Sequence, residues 1–423
     1  MKAVVSPSLL SGTIIIPPSK SAMQRACALS LLHNGTTTIF NPGKSNDDLT
    51  ALEIIEKLGA SIEKTNNSIT ITSRGEIHPP AFLNCHESGL SLRMFAPIIA
   101  ISPDLVNISG IGSLMNRHVD VFSSFFADLK VDITSENGFL PVVIKGPLKP
   151  IDIEIDGSKS SQYLTGLLFA FAKKVEELTI ITVSNLVSKP YIDLSLQLLK
   201  HFGYKVVNEK YQRFLIYPKS EIKNHVSYTV EGDWSSASFF IVAAAIAGDL
   251  SLSGLDFKSC QSDMKILDVL NQINADYAIN ADLLKIKKSS TIKPFEFDAT
   301  DCPDLFPPLV VLALTANGKS VIKGVNRLFD KESNRAVALI SQFSILGADI
   351  LVAEDCMYIN GGKILNGGIV NSQNDHRIAM ALAIAGLIAE TDVYIEDAES
   401  VNKSFPEFFI LLQNCGGKVT LNT

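Results

Sequence analysis

Cations at the start of a helix are out of place unless an anion sits there, because the free N–H groups and the macrodipole already make that end positive. The chain has two such places. Ser19-Lys20-Ser21 follows the apolar run Thr13-Ile14-Ile15-Ile16 and leads into Ala26-Cys27-Ala28-Leu29-Ser30-Leu31-Leu32, a pattern that reads as strand, tight turn and helix. Arg25 comes four residues after Ser21 and projects from the same side one turn on. Asn374-Asp375-His376-Arg377 puts a histidine and an arginine at the start of another apolar run. Serine and aspartate are good N-caps, and that alone accounts for Asp233 and Ser235 at a third helix start. It does not account for Lys20, Arg25, His376 and Arg377, whose shared reading is anion binding.

The elements that must position these residues recur. A helix, a turn and a strand follow one another at 51–62, 122–133, 194–206, 266–278, 338–350 and 408–419. The turn residues are Gly59, Lys130, Gly203, Asn274, Gly347 and Gly416, spaced by 71, 73, 71, 73 and 69. Gly or Asn is expected where a helix ends with positive φ, so Lys130 is the exception that weakens its copy. A second series of helix starts, at positions 20, 88, 160, 235, 304 and 376, runs in phase with steps of 68, 72, 75, 69 and 72. Each leads into a strongly apolar helix such as Phe239 to Ala247, and a helix apolar on all sides is buried. The first series is more polar and should face solvent. Six α/β units of about 72 residues follow, three to a domain. The buried helices of both domains are expected to aim their N-termini at one cleft.

Composition narrows the class. The chain has 423 residues, which favours two domains, with 46% hydrophobic and 19% charged residues, as in a well-buried globular enzyme. A net charge of −7 argues against a nucleic-acid surface but leaves room for a local cationic pocket. The six cysteines are scattered without C-x-x-C, which argues against a zinc site or a disulfide framework and for buried small apolar residues. The start of the chain does not read as a signal peptide. The apolar runs fall far short of the roughly 20 residues needed to span a bilayer. The expectation is a soluble cytoplasmic protein with no membrane contact.

Eight motifs in register resemble the enolpyruvyl transferase family. They are Ser19-Lys20-Ser21-x-x-x-Arg25, Asp156-Gly157-Ser158-x-Ser160-Ser161-Gln162, Val187-Ser188-Lys189-Pro190-Tyr191-Ile192-Asp193, and Glu231-Gly232-Asp233-x-Ser235-Ser236-Ala237. The rest are Pro303-Asp304, Lys331-Glu332-Ser333-Asn334-Arg335, Asn374-Asp375-His376-Arg377-Ile378-Ala379-Met380, and Lys403-Ser404-Phe405-Pro406. Within the family the pattern is similar to the branch that acts on shikimate 3-phosphate. The resemblance implies an α/β fold of two similar domains, each of three βαβαββ repeats around a pseudo-threefold axis, an inside-out α/β barrel with the active site in the interdomain cleft. It places residues 17–229 in one domain and 1–16 plus 230–423 in the other. It implies transfer of the enolpyruvyl group of phosphoenolpyruvate to the 5-hydroxyl of shikimate 3-phosphate, with release of phosphate, by a monomer that needs no cofactor and no metal.

Such a site must hold two phosphates and two carboxylates. A helix N-terminus contributes about 0.3–1 kcal/mol, whereas micromolar binding needs about 8 kcal/mol, so several charge-assisted hydrogen bonds are required. Carried over residue by residue, the resemblance assigns Ser160, Ser161, Ser188 and Lys331 to the sugar phosphate, and Ser21, Arg25 and Tyr191 to the shikimate carboxylate or hydroxyls. Gly89, Arg117, Arg335, His376, Arg377 and Lys403 fall to phosphoenolpyruvate, while Lys20 and Gln162 serve both substrates. Asp304 lies beside the sugar and is the candidate base for the 5-hydroxyl. Glu332 is a candidate for proton transfer at the methylene, with Lys20 or Lys403 sharing the proton traffic. Each carboxylate has a plain alternative, an N-cap for Asp304 and a helix-face ion pair for Glu332.

Departures from the family pattern are Pro18 for a glycine, Leu90 for a threonine, His118 for a proline and Asn334 for an aspartate. Arg327, with Asn326 beside it, falls where an asparagine is usual. None removes a charge that the chemistry needs, but the changes around the glycine put sensitivity to the inhibitor glyphosate in doubt. Two other readings stand beside this one. The first is the sister transferase acting on UDP-N-acetylglucosamine, disfavoured because no cysteine lies in the loop around Ser113 to His118. The second is a catalytically silent phosphometabolite-binding protein, disfavoured because both carboxylates and all the motif cations are present.

Overall fold

The computed structural model describes residues 1–219 and 223–422. The chain divides into two compact units, Pro18–Val230 and Met1–Pro17 with Glu231–Thr423. The described strands form six four-stranded sheets, three in each unit.

Every sheet has the same plan, one parallel pair followed by two antiparallel neighbours. In Pro18–Val230, Phe82–Asn84 pairs parallel with Leu105–Ser109, which pairs antiparallel with Phe139–Lys145 and through it with Asp132–Glu136. A parallel pair cannot be closed by a tight turn and needs a crossover. Here the crossover is the helix Gly89–Ile99. The helix Ser161–Lys174 does the same between Ile153–Asp156 and Thr179–Ser184. In the third sheet Asn34–Phe40, which follows the helix Lys20–Leu32, takes its parallel partner His225–Thr229 from the far end of the unit.

The other unit repeats the plan with helices Trp234–Ala247, Phe306–Leu314 and His376–Gly386. The N-terminal segment belongs to it by pairing. Leu10–Ile15 lies parallel to Gly248–Ser253, and Lys2–Ser6 sits between Val393–Glu396 and Lys418–Asn422.

The burial of these helices follows from their composition. All 14 residues of Trp234–Ala247 are buried, as are all of Phe306–Leu314 and His376–Gly386. The more polar helices expose one face, where Lys57 pairs with Glu53 on Asn46–Lys57. Four of the six buried helices are crossovers within one sheet, while Lys20–Leu32 and Trp234–Ala247 link strands of two different sheets; all six begin where a parallel-paired strand ends, so the capping position recurs in every repeat. Ser19, Ser88, Ser160, Asp233 and Asp375 each accept a backbone N–H of the first turn through the side chain. The sixth start differs: a 3-10 turn, Pro303–Leu305, precedes Phe306–Leu314 without a side-chain cap. Cys27, Cys85, Cys302 and Cys415 are buried free thiols. Among the described residues no helix is long and apolar enough to cross a membrane.

The exception at Lys130 is one of residue type only. Its φ is 61°, in line with 111° at Gly59, 81° at Gly203, 55° at Asn274, 81° at Gly347 and 94° at Gly416. The repeat imposes the left-handed turn on a side chain that resists it by about 1–2 kcal/mol. Lys130→Gly relieves that strain and gives back about 0.5–1 kcal/mol of it in chain entropy. The melting temperature should therefore rise by about 1–4 °C in scanning calorimetry. An unchanged or lower value would show that Lys130 makes a compensating interaction.

Candidate active site

In Pro18–Val230 the polar side chains gather at the three helix starts. Lys20 is the first residue of its helix, and its ammonium lies 2.9 Å from Asp47 Oδ2, both groups being largely buried. Asp47 is the second residue of the helix Asn46–Lys57, within a capping box in which Ser45 and Asp48 satisfy each other. Asp48 is buried, and burial pushes its carboxyl up to about 7 against the opposing hydrogen bonds from Ser45. Arg25 is 1% exposed. Its Nε donates to Ser195 Oγ at 2.9 Å, Nη1 to the Ser21 carbonyl at 2.8 Å, and Nη2 to the Tyr191 carbonyl at 3.4 Å.

Gly89 has a specific reason to lack a side chain. A Cβ there would stand 2.6 Å from Arg117 Nη1 and 3.4 Å from Arg93 Nη1. The bare α-carbon thus makes room for a guanidinium at a helix N-terminus, where a cation calls for an anion. Arg93 also donates to Gln162 Oε1 at 3.0 Å and lies over the Tyr163 ring. Ser160 caps the helix that Ser161 and Gln162 open. Ser188 sits at φ 55°, a left-handed conformation costing about 1–2 kcal/mol, just before the helix Lys189–His201. Strain of that kind at a candidate ligand residue fits a functional constraint.

The second group lies in the unit containing the C-terminal half. Arg335, 1% exposed, opens the helix Arg335–Ile345 and meets three carboxylates. Its Nη1 is 2.6 Å from Asp304 Oδ1, its Nη2 is 2.6 Å from Glu332 Oε2, and its Nε is 2.8 Å from Asp375 Oδ2. Arg377 Nη2 reaches the other oxygen of Asp304 at 2.9 Å. Burial alone would raise the Asp304 carboxyl, but Arg377, Arg335 and Lys331 outweigh it and hold the group well below the usual carboxylate range. Lys331 is lowered too, but by a different cause. Burial lowers it to about 8, with Arg335 and Arg327 adding to the shift against the pull of Asp304. Of the two residues at the uncertain position, Arg327 is thus the one whose charge bears on Lys331, while the Asn326 N–H is taken by Asp355. His376 and Lys403 are buried, at 1% and 4% exposure, at the start of one helix and the end of the 3-10 turn Ala398–Lys403.

A cluster of cations and carboxylates at repeated helix starts is a general anion-handling design, and comparison with known proteins narrows it. Residues 4–412 match the family model for EPSP synthase (3-phosphoshikimate 1-carboxyvinyltransferase). The chain belongs to the EPSP synthase family. A 3-phosphoshikimate 1-carboxyvinyltransferase of Clostridium novyi is 34% identical over 98% of this chain and 97% of its own. One from Methanocorpusculum labreanum is 34% identical over 98% and 99%. Among solved structures, an EPSP synthase from Acinetobacter baumannii superposes with a TM-score of 0.84 at 27% identity, covering 100% of both chains. The fold is the inside-out α/β architecture of EPSP synthases, and an enolpyruvyl transferase from Streptomyces tendae shares it at a TM-score of 0.81 and 14% identity.

For this EPSP synthase family member, three residues of the candidate site carry no role in the sequence reading. Asp47 is signalled only by the Ser45-Asn46-Asp47-Asp48 helix start, a capping-box pattern. Arg93 lies four residues after Gly89, on the same helix face. Asp375 is signalled only as the N-cap before His376 and Arg377.

Proposed function

We propose that this protein is a 3-phosphoshikimate 1-carboxyvinyltransferase, which joins C2 of phosphoenolpyruvate to the 5-hydroxyl of shikimate 3-phosphate and expels phosphate, on the route to chorismate and the aromatic amino acids. The observation that carries this reading is Asp304 gripped by two arginines, with Glu332 and Lys331 beside it, in a chain whose residues 4–412 match the family. We take it to act as a cytoplasmic monomer.

The family resemblance supports a division of labour. Lys331, Ser160, Ser161 and Ser188 hold the sugar phosphate, while Ser21, Arg25, Tyr191 and Gln162 hold the ring substituents. Arg117 against Gly89, with Lys20, Gln162, Arg335, His376, Arg377 and Lys403, takes the two anionic groups of phosphoenolpyruvate. Asp304 removes the 5-hydroxyl proton. Held by two guanidiniums it is a very weak base, so its basicity must return when the second substrate draws hydrogen bonds from Arg335 and Arg377. The base then becomes competent only when both substrates are present, which protects phosphoenolpyruvate from wasteful hydrolysis. Glu332, Lys20 and Lys403 manage the proton that reaches the methylene and leaves again.

Lys331 makes the phosphate step depend on pH. Its ammonium is fully present below pH 8, where a phosphate dianion is bound best, and is lost as pH rises through 8. Bound phosphate favours the charged form, so shikimate 3-phosphate should bind with proton uptake between pH 8 and 9. Calorimetry in two buffers of different ionisation enthalpy measures this. Binding without proton exchange in that range would separate Lys331 from the phosphate. The linkage to folding has the opposite sign: the unfolded lysine titrates near 10.4, so the cost of charging this buried group is present in full below pH 8 and is relieved as pH rises towards 10.

The test of the function is a phosphate-release assay with phosphoenolpyruvate and either shikimate 3-phosphate or UDP-N-acetylglucosamine as acceptor. Turnover with the first alone is expected. Product only from the UDP-sugar, or binding of both substrates without turnover, would overturn the reading.

A further inference from the structure

Asp375 is 0% exposed, and the lone pairs of its carboxylate are fully subscribed. Its Oδ2 accepts from Arg335 Nε at 2.8 Å and from Ser333 Oγ at 3.1 Å. Oδ1 accepts from Arg335 Nη2 at 3.3 Å and from the backbone N–H of Arg377 at 2.9 Å. A carboxylate offers about four acceptor sites, and four donors fill them. The group therefore has no capacity left for a substrate or a proton. An N-cap accounts for the bond to Arg377 N–H but not for the two-pronged grip on a guanidinium 40 residues away.

Following the two arginines outward shows what the grip accomplishes. With Nε and one Nη2 proton held by Asp375, the plane of the Arg335 guanidinium is fixed, and its Nη1 meets Asp304 Oδ1 at 2.6 Å. The same carboxylate caps the helix His376–Gly386, and so sets the position of Arg377, whose Nη2 meets Asp304 Oδ2 at 2.9 Å. Arg377 keeps two further buried nitrogens, Nε and Nη1, without a hydrogen-bond partner among the described residues. We propose that Asp375 is the positioning residue of this site, a buried carboxylate that touches neither substrate and aims both Arg335 and Arg377 at Asp304 and at the anionic groups of phosphoenolpyruvate. This rests on the function proposed above. It extends that reading by making the alignment of two cations depend on one side chain outside the reacting groups.

The test uses Asp375→Asn and Asp375→Ala in the full chain. Asparagine still caps a helix, so the Asn variant should fold, but it cannot hold the guanidinium with two charged oxygens. Wild-type turnover with shikimate 3-phosphate is measured first, and its absence would count against the function rather than against Asp375. At metal sites the loss of a partner that orients a ligand costs about 10- to 100-fold, and a fall of about that size is expected here in kcat/KM for phosphoenolpyruvate. The affinity for shikimate 3-phosphate alone, by calorimetry, should stay within about threefold. Independently of activity, the losses in melting temperature from Asp375→Asn and Arg335→Met should be strongly non-additive. A merely structural Asp375 predicts a lower melting temperature with both substrate constants unchanged in the folded fraction, and that result would overturn the proposal. Equal losses for the two substrates would overturn it as well.

Discussion

Asp304→Asn is expected to lower kcat by about 10³-fold while shikimate 3-phosphate still binds with near wild-type affinity. General-base catalysis contributes typically 10²–10⁴-fold, and Asp304 is the carboxylate whose two oxygens meet different guanidiniums at 22% side-chain exposure, whereas Asp375 is fully buried in a saturated network. The amide keeps the shape and can still accept from one arginine, so the fold should survive. Removing the charge also frees Arg335 and Arg377 from their carboxylate partner. The Michaelis constant for phosphoenolpyruvate should therefore stay level or fall while kcat collapses, the signature of a group that acts on the transition state and competes for the cations in the ground state. Steady-state phosphate release over a range of both substrates measures this split. Near-normal turnover would remove Asp304 from the mechanism.

Arg335→Met should be the most destabilising single change among the site residues. It deletes the guanidinium that Asp375 and Glu332 both meet, at 0% and 12% side-chain exposure. Removing one member of a buried ionic network costs about 3–5 kcal/mol, because the remaining charges stay buried and uncompensated. For a unit of this size that corresponds to a fall in melting temperature of about 6–20 °C, read in scanning calorimetry. A fall of less than about 2 °C would mean that the three carboxylates are relaxed or hydrated in solution. The acid side adds a second readout. The lowered pKa of Asp304 stabilises the folded state fully above the unfolded value near 3.9, and that contribution is lost only as pH falls towards the much lower folded value. Without Arg335 the folded value rises, so the variant should lose less of its remaining stability between pH 5 and pH 2.

The parts of this molecule that a linear reading discloses are those written locally. Helix caps, apolar crossover helices and left-handed turns are decided within a few residues, and their recurrence about every 72 positions exposes the six repeats. Lys130 marks a limit of that reading, since the repeat supplies the positive φ that the residue does not favour. The site is legible as a set of cations and two carboxylates, because charge at a helix start is itself a local anomaly. Which charge meets which is not local. Lys20 finds Asp47 across 27 residues, Arg335 finds Asp375 across 40 and Arg93 finds Gln162 across 69. Burial, which turns Asp375 from a helix cap into an orienting group and lowers Lys331 to about 8, is a property of the packed unit.

The central claim is that this chain moves an enolpyruvyl group onto the 5-hydroxyl of shikimate 3-phosphate. The most direct measurement incubates the purified protein with carbon-13-labelled phosphoenolpyruvate and shikimate 3-phosphate, follows the label by NMR and counts the phosphate released. The expected result is a labelled enol ether at the 5-oxygen, formed in equal amount to the phosphate and about 10³-fold more slowly when Asp304→Asn replaces the wild type. Phosphate released with the label in free pyruvate, or no labelled ether at all, would contradict it.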